Sequence, residues 1–151
     1  VNTVSCTYAI GRIEPDFFEK GKNGRFFRIP VYGNTKLALL LFTQELAKRI
    51  QDKGITINAS DPGIVSTNMI TMQAWFDPLT DILFRPFIKT PAQGAATAIH
   101  LALSNEAKDK NGCCYANCKK RNVSERIRHH TQQKQLWDDT DILLQQKGIR
   151  F

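Results

Sequence analysis

The 151 residues are 42% hydrophobic, 9% aromatic and 23% charged, enough apolar sequence to offset chain entropy in one globular domain and to argue against a disordered chain. The longest wholly apolar run, Leu37 to Phe42, falls far short of the ~20 residues of a membrane helix. The formal charge of +7 reads first as solvated surface, with a phosphate-bearing cofactor, a nucleic acid or a membrane surface as the anionic alternatives.

Val1 to Cys6 is β-branched and uncharged, and predicts a strand. The chain thus opens in a β-like run with neither an initiator methionine nor a leader pattern, which reads as a fragment. A polar connector, Gly11 to Pro30, follows. From Val31 to about Lys53 the pattern is helical: Leu39, Phe42, Leu46 and Ile50 recur at steps of three and four, and Leu37, Leu40 and Leu41 widen the face. Gly54 is placed to end that helix. Ile55 to Ala59 predicts a short buried strand closed by Asp61-Pro62-Gly63. Strand, helix and strand in this order make a βαβ unit with a parallel sheet. The stretch from Met69 to Ile88 predicts one or two short amphipathic helices.

Thr90-Pro91-Ala92-Gln93 is a capping box with proline at the first helical position. The helix it opens runs to about Ser104, with Ala95, Ile99, Ala102 and Leu103 as its expected core face. Asn111-Gly112 is a turn, Cys113 to Cys118 a short strand, and Ser124 to Gln146 mostly helix, with Leu136, Trp137, Leu143 and Leu144 inward. The cysteines, Cys6, Cys113, Cys114 and Cys118, suggest reduced thiols rather than a disulfide framework. Cys113-Cys114-x-x-x-Cys118 with His129-His130 lacks the paired knuckle of a zinc site, so no metal is expected. All of this belongs to one domain.

Tyr32-Gly33-Asn34-Thr35-Lys36 carries the sharpest chemical signal. Residues four apart share a helix face, so a phenol and an ammonium can enter one cleft. A free phenol titrates at about 10, and a nearby cation favours the phenolate. Such a tyrosine can protonate a carbonyl oxygen as hydride arrives or deprotonate an alcohol as hydride leaves. Alone, Y-x-x-x-K arises by chance in many proteins. Here the strand bearing Ser5 and Cys6 and the strand ending in Asp61-Pro62-Gly63-Ile64-Val65-Ser66-Thr67 finish at the same sheet edge, where doubly wound folds bind ligands.

With Val1–Cys6, Tyr32 to Lys36 leading into Leu37–Ala47, Pro62–Thr67, and Ile88-Lys89-Thr90-Pro91-Ala92-Gln93-Gly94-Ala95, the whole chain resembles the C-terminal half of the short-chain dehydrogenase/reductases, in their retinol-dehydrogenase-like branch. The resemblance implies an α/β fold, the C-terminal portion of a doubly wound parallel-sheet (Rossmann) domain, with residues 1–151 as one incomplete domain. It implies Tyr32 as catalytic acid/base and Lys36 as its partner and as holder of the nicotinamide ribose. A serine at the end of the first strand would bind the substrate oxygen. The family's second serine falls on Cys6, a weaker donor, and Ser5 is the other candidate. Pro62, Gly63, Ile64 and Thr67 would flank the nicotinamide of NADP or NAD, NADP being slightly favoured, and residues 68–88 would form a lid over a hydrophobic alcohol or carbonyl substrate.

The family's glycine-rich T-G-x-x-x-G-x-G turn does not occur in the sequence, so weak cofactor binding by the isolated chain and an exposed sheet edge are expected. A non-catalytic binding or regulatory relative is the alternative. A nucleic-acid module centred on Lys119, Lys120, Arg121, Arg126 and Arg128 lacks any accompanying motif and is not expected. The helix from Val31 offers a dimer face. The expected setting is cytoplasmic, with a membrane anchor in a preceding segment left open.

Overall fold

The computed structural model describes residues 1–14, 17–18, 28–65 and 88–149. Four short strands, β1 (Asn2–Thr3), β2 (Ala59–Asp61), β3 (Cys114–Ala116) and β4 (Lys119–Arg121), form one sheet in that order. β1–β2 and β2–β3 are parallel, with Thr3 opposite Ser60 and Ser60 opposite Tyr115. β3–β4 is an antiparallel hairpin. The expected βαβ unit is therefore present, β1 being followed by α1 (Arg28–Arg49) and then β2.

α1 begins three residues earlier than its apolar pattern predicts, with Pro30 in its first turn, where a missing N–H costs nothing. Leu37, Leu40 and Leu41 are fully buried, each burial stabilising by about 1.5–3 kcal/mol. The predicted leading stripe is its flank: Leu39, Phe42, Leu46 and Ile50 are half-buried. Phe42 stacks on Trp137 at 4.9 Å, which joins α1 to α4 (Gln133–Gln146). A 3-10 turn, Gln51–Lys53, follows α1, and Gly54 ends it in the left-handed conformation, φ 66°.

Cys114 packs with Leu37, Leu40 and Leu41, whereas its neighbour Tyr115 packs with Leu101 and Ala107. Successive strand residues face opposite ways, so α1 and α2 (Pro91–Leu103) cover opposite faces of the sheet. The fold is α/β and parallel-dominated, as expected.

Beyond the start of α1, four boundaries and one buried face differ from the sequence reading. The first strand ends early because pairing stops after the Val4 N–H donates to Ser60 O at 2.9 Å, and Cys6–Ile10 coils into a 3-10 helix with Ser5 as its N-cap. The predicted strand Ile55–Ala59 shifts to Ala59–Asp61. Upstream of it, the Ile57 N–H donates to Asn111 Oδ1, and Asn58 bonds Lys110 O and the Cys113 N–H through its side chain. Those amides supplement backbone bonds from the Gly112 N–H to Ile57 O and from the Asn2 N–H to Asn58 O, and Ile55 is exposed. The segment Cys113–Cys118 is half of a hairpin whose second strand the sequence reading missed. The predicted helix Ser124–Gln146 is two, α3 (Glu125–Arg128) and α4.

The fifth difference is α2. Its capping box forms as predicted: Thr90 Oγ1 accepts from the Gln93 N–H at 3.2 Å, and Gln93 Oε1 accepts from the Thr90 N–H at 2.9 Å. Its buried stripe is Gly94, Thr97 and Leu101. The expected core residues Ala95, Ile99, Ala102 and Leu103 are exposed. The buried side is tight at Gly94, where a Cβ would lie 2.6 Å from Val65 Cγ2. Thr97 Oγ1 accepts the Cys118 N–H at 3.2 Å. The predicted helices of Met69–Ile88 lie outside the described residues, apart from Ile88 itself.

Candidate active site

α1 brings Tyr32 and Lys36 together as their spacing requires. Lys36 Nζ lies 5.4 Å from the centre of the Tyr32 ring, and the ring is 40% exposed. Among the described residues the ammonium donates one hydrogen bond, to Thr3 O at 3.0 Å, at the carboxyl end of β1. That bond ties the helix to the strand that leads into Ser5. The second turn of α1 can approach so closely because Gly33 meets Gly11 there. A Cβ on Gly11 would lie 2.5 Å from Gly33 O, and one on Gly33 would lie 3.0 Å from Thr7 O.

Ser5 is half-buried and Cys6 exposed, both thiol and hydroxyl standing just past β1. Ser5 Oγ accepts from the Thr7 N–H at 3.5 Å, and its own proton has no acceptor among the described residues. Thr7 Oγ1, in the same turn, is buried with no partner among the described residues.

Pro62, Gly63 and Ile64 follow β2, beside β1 in the parallel register, so both loops leave the same sheet edge. Gly63 has φ 78°, a conformation that a side chain disfavours, and Ile64 is 50% exposed. Ser66 and Thr67 lie outside the described residues. Sequence reasoning missed the side chains that hold this turn. Asp61, 2% exposed, accepts from the Gly63 N–H at 3.0 Å and from Arg121 Nη1 at 3.0 Å. Lys89 donates to Pro62 O at 2.9 Å. A carboxylate closing a buried strand was the available signal, because a charge there needs a partner. Among the described residues no three His, Cys, Asp or Glu side chains are grouped to hold a metal, and no helix is long and apolar enough to cross a membrane.

A family model of short chain dehydrogenases matches residues 20–75. The chain is 38% identical to retinol dehydrogenase 12 of Mus musculus over 151 residues, covering all of this chain and 46% of that relative. It is 34% identical to retinol dehydrogenase 14 of Homo sapiens over 116 residues, 75% of this chain and 34% of that one. The chain thus spans about half the length, or less, of these curated relatives. In fold it is similar to an uncharacterized protein from Mycobacterium Paratuberculosis, with a TM-score of 0.63 at 20% identity over 95% of this chain and 48% of that one. It is also similar to a short chain dehydrogenase from Burkholderia cenocepacia J2315 solved in complex with NADP, with a TM-score of 0.51 at 21% identity over 76% and 41%.

Proposed function

We propose that this chain, a short-chain dehydrogenase/reductase sequence of retinol-dehydrogenase-like kind, carries the acid/base half of an NAD(P)-dependent oxidoreductase acting on a hydrophobic alcohol and its aldehyde or ketone. One observation carries the reading: an accessible phenol and an ammonium share a helix face at the carboxyl edge of a parallel sheet, and the ammonium is bonded to the strand end beside Ser5. Relatives named as retinol dehydrogenases and a fold neighbour solved with NADP support the substrate class and the cofactor.

The donor set suits the nicotinamide-ribose end of such a cofactor. Lys36 gives one N–H to Thr3 O and has two left for ribose hydroxyls. Ile64 offers an exposed apolar side chain at the same edge, beside the tight turn at Pro62 and Gly63. Thr67 is assigned beside them by resemblance. The turn that would cradle the pyrophosphate is not among these 151 residues. When bound, the nicotinamide supplies or accepts the hydride.

In reduction, Tyr32 Oη gives its proton to the carbonyl oxygen; in oxidation it takes the alcohol proton. Lys36 stabilises the phenolate left behind. Ser5 holds the substrate oxygen through its free O–H, and the exposed Cys6 thiol is the weaker donor for the same task. The resemblance assigns residues 68–88 to the substrate lid. The test is Tyr32→Phe in the native-length protein, assayed with NADPH and a retinoid or long-chain aldehyde. Cofactor binding persists while turnover falls by about a hundredfold or more. Unchanged turnover overturns the mechanism. A parent protein that transfers no hydride favours the non-catalytic alternative.

A further inference from the structure

We infer that the β3–β4 hairpin positions the Pro62–Gly63 turn of the proposed cofactor site, with Asp61, Arg121, Lys89 and Asn117 as positioning residues. The inference rests on the functional reading only for what the turn binds. It rests on geometry for how the turn is held.

Two separate contacts reach the turn from the hairpin. At the strand end, Arg121 Nη1 of β4 donates to Asp61 Oδ2 at 3.0 Å, and Asp61 Oδ1 accepts the Gly63 N–H at 3.0 Å. At the hairpin tip, Asn117 Oδ1 accepts from Lys89 Nζ at 2.6 Å, and the same ammonium donates to Pro62 O at 2.9 Å. The Lys89 chain lies along Gly63, where a Cβ would come 3.1 Å from Nζ. The turn's first carbonyl and its next N–H are thus both fixed from one hairpin.

Arg121 also reaches the other loop of the site. Its guanidinium carbon is 5.9 Å from the centre of the Tyr8 ring, and Tyr8 belongs to the 3-10 helix that Ser5 caps. One guanidinium therefore contacts both loops that leave the sheet edge. A buried carboxylate is costly without such a partner. Asp61 is 3% exposed at its side chain, and Arg121 43%, so the ion pair reaches from the surface into the sheet. A salt bridge serving stability alone would require neither the Gly63 bond nor the second anchor through Lys89. The tip is shaped for that anchor by Asn117 and Cys118, at φ 52° and 59°, the two left-handed residues of a tight hairpin turn.

The test measures amide hydrogen exchange at residues 63–65 in the cofactor-free native-length protein, and NADPH affinity by fluorescence titration. The variants are Arg121→Gln, Arg121→Lys and Asn117→Gly. Asn117→Gly keeps the left-handed turn and removes only the amide, so it guards against a misfolded Arg121→Gln. In both Arg121→Gln and Asn117→Gly, exchange rises at 63–65 above any general rise. The NADPH dissociation constant increases about tenfold, the scale of one lost charge-assisted hydrogen bond, and Arg121→Lys restores part of it. Exchange at 63–65 that is unchanged, or that rises evenly over the molecule, overturns the proposal. A parent that binds no NADPH defeats the functional reading instead, and the exchange data still decide the role of the hairpin.

Discussion

Tyr8 and Cys114 lie together in the core, and both resist ionisation. Burial pushes the Cys114 thiol up from 9.0 to about 11, with the Asp61 charge adding to it. Burial pushes the Tyr8 phenol up from 10.0 to about 12, with Cys114 adding and Arg121 opposing. The unfolded chain therefore sheds these protons first as pH rises. It binds fewer protons than the native state through that window, so stability falls with pH there. The contribution is intact below about pH 9 and is lost as pH climbs towards 11 and 12. Urea midpoints on either side of this window should drop in the parent and drop less in a Tyr8→Phe/Cys114→Ala variant. An equal drop in both would remove the pair as the cause. At this scale the Tyr32 and Lys36 placement was legible because helical spacing is local. Asp61 was not, since its partner Arg121 lies 60 residues away and is named only by the register of two strands.

Among the elements, α2 shows how a signal and its context divide. Its start is written in four consecutive residues, and both bonds of the capping box form. Thr90→Ala should cost about 1 kcal/mol, read as a lower midpoint of thermal unfolding, while Thr90→Ser should keep most of it. A cap contributing nothing would leave both midpoints at the parent value. Its buried face is not written locally. Ile99 and Leu103 look inward by hydrophobicity, yet they are 54% and 80% exposed. The stripe that packs inward is Gly94, Thr97 and Leu101, and Val65 leaves no room for a side chain at Gly94. The fully buried trio of α1 was picked out by sequence only as the widening of a face.

On the scale of the molecule, the two ends of the sheet differ. β4 ends it with Lys119, Lys120 and Arg121, all exposed, and charge of this kind discourages further pairing. β1 ends it with Asn2 and Thr3, which carry no charge. An uncharged open edge is a template for another strand. The 151-residue chain expressed by itself should therefore associate as its concentration rises, by sedimentation velocity. A monomer at all concentrations would show that this edge is covered.

The sequence by itself determined the βαβ order, the helix that carries Tyr32 and Lys36, and the capped start of α2. Each depends on spacings of four residues or fewer, or on the order of segments along the chain. Tertiary structure alone decided which face of α2 is buried, where β1 gives way to the Ser5-capped turn, and how Asp61, Arg121, Lys89 and Asn117 hold the Pro62–Gly63 turn. Those outcomes depend on the distance between layers and on strand register, which bring together residues 28 and 60 positions apart.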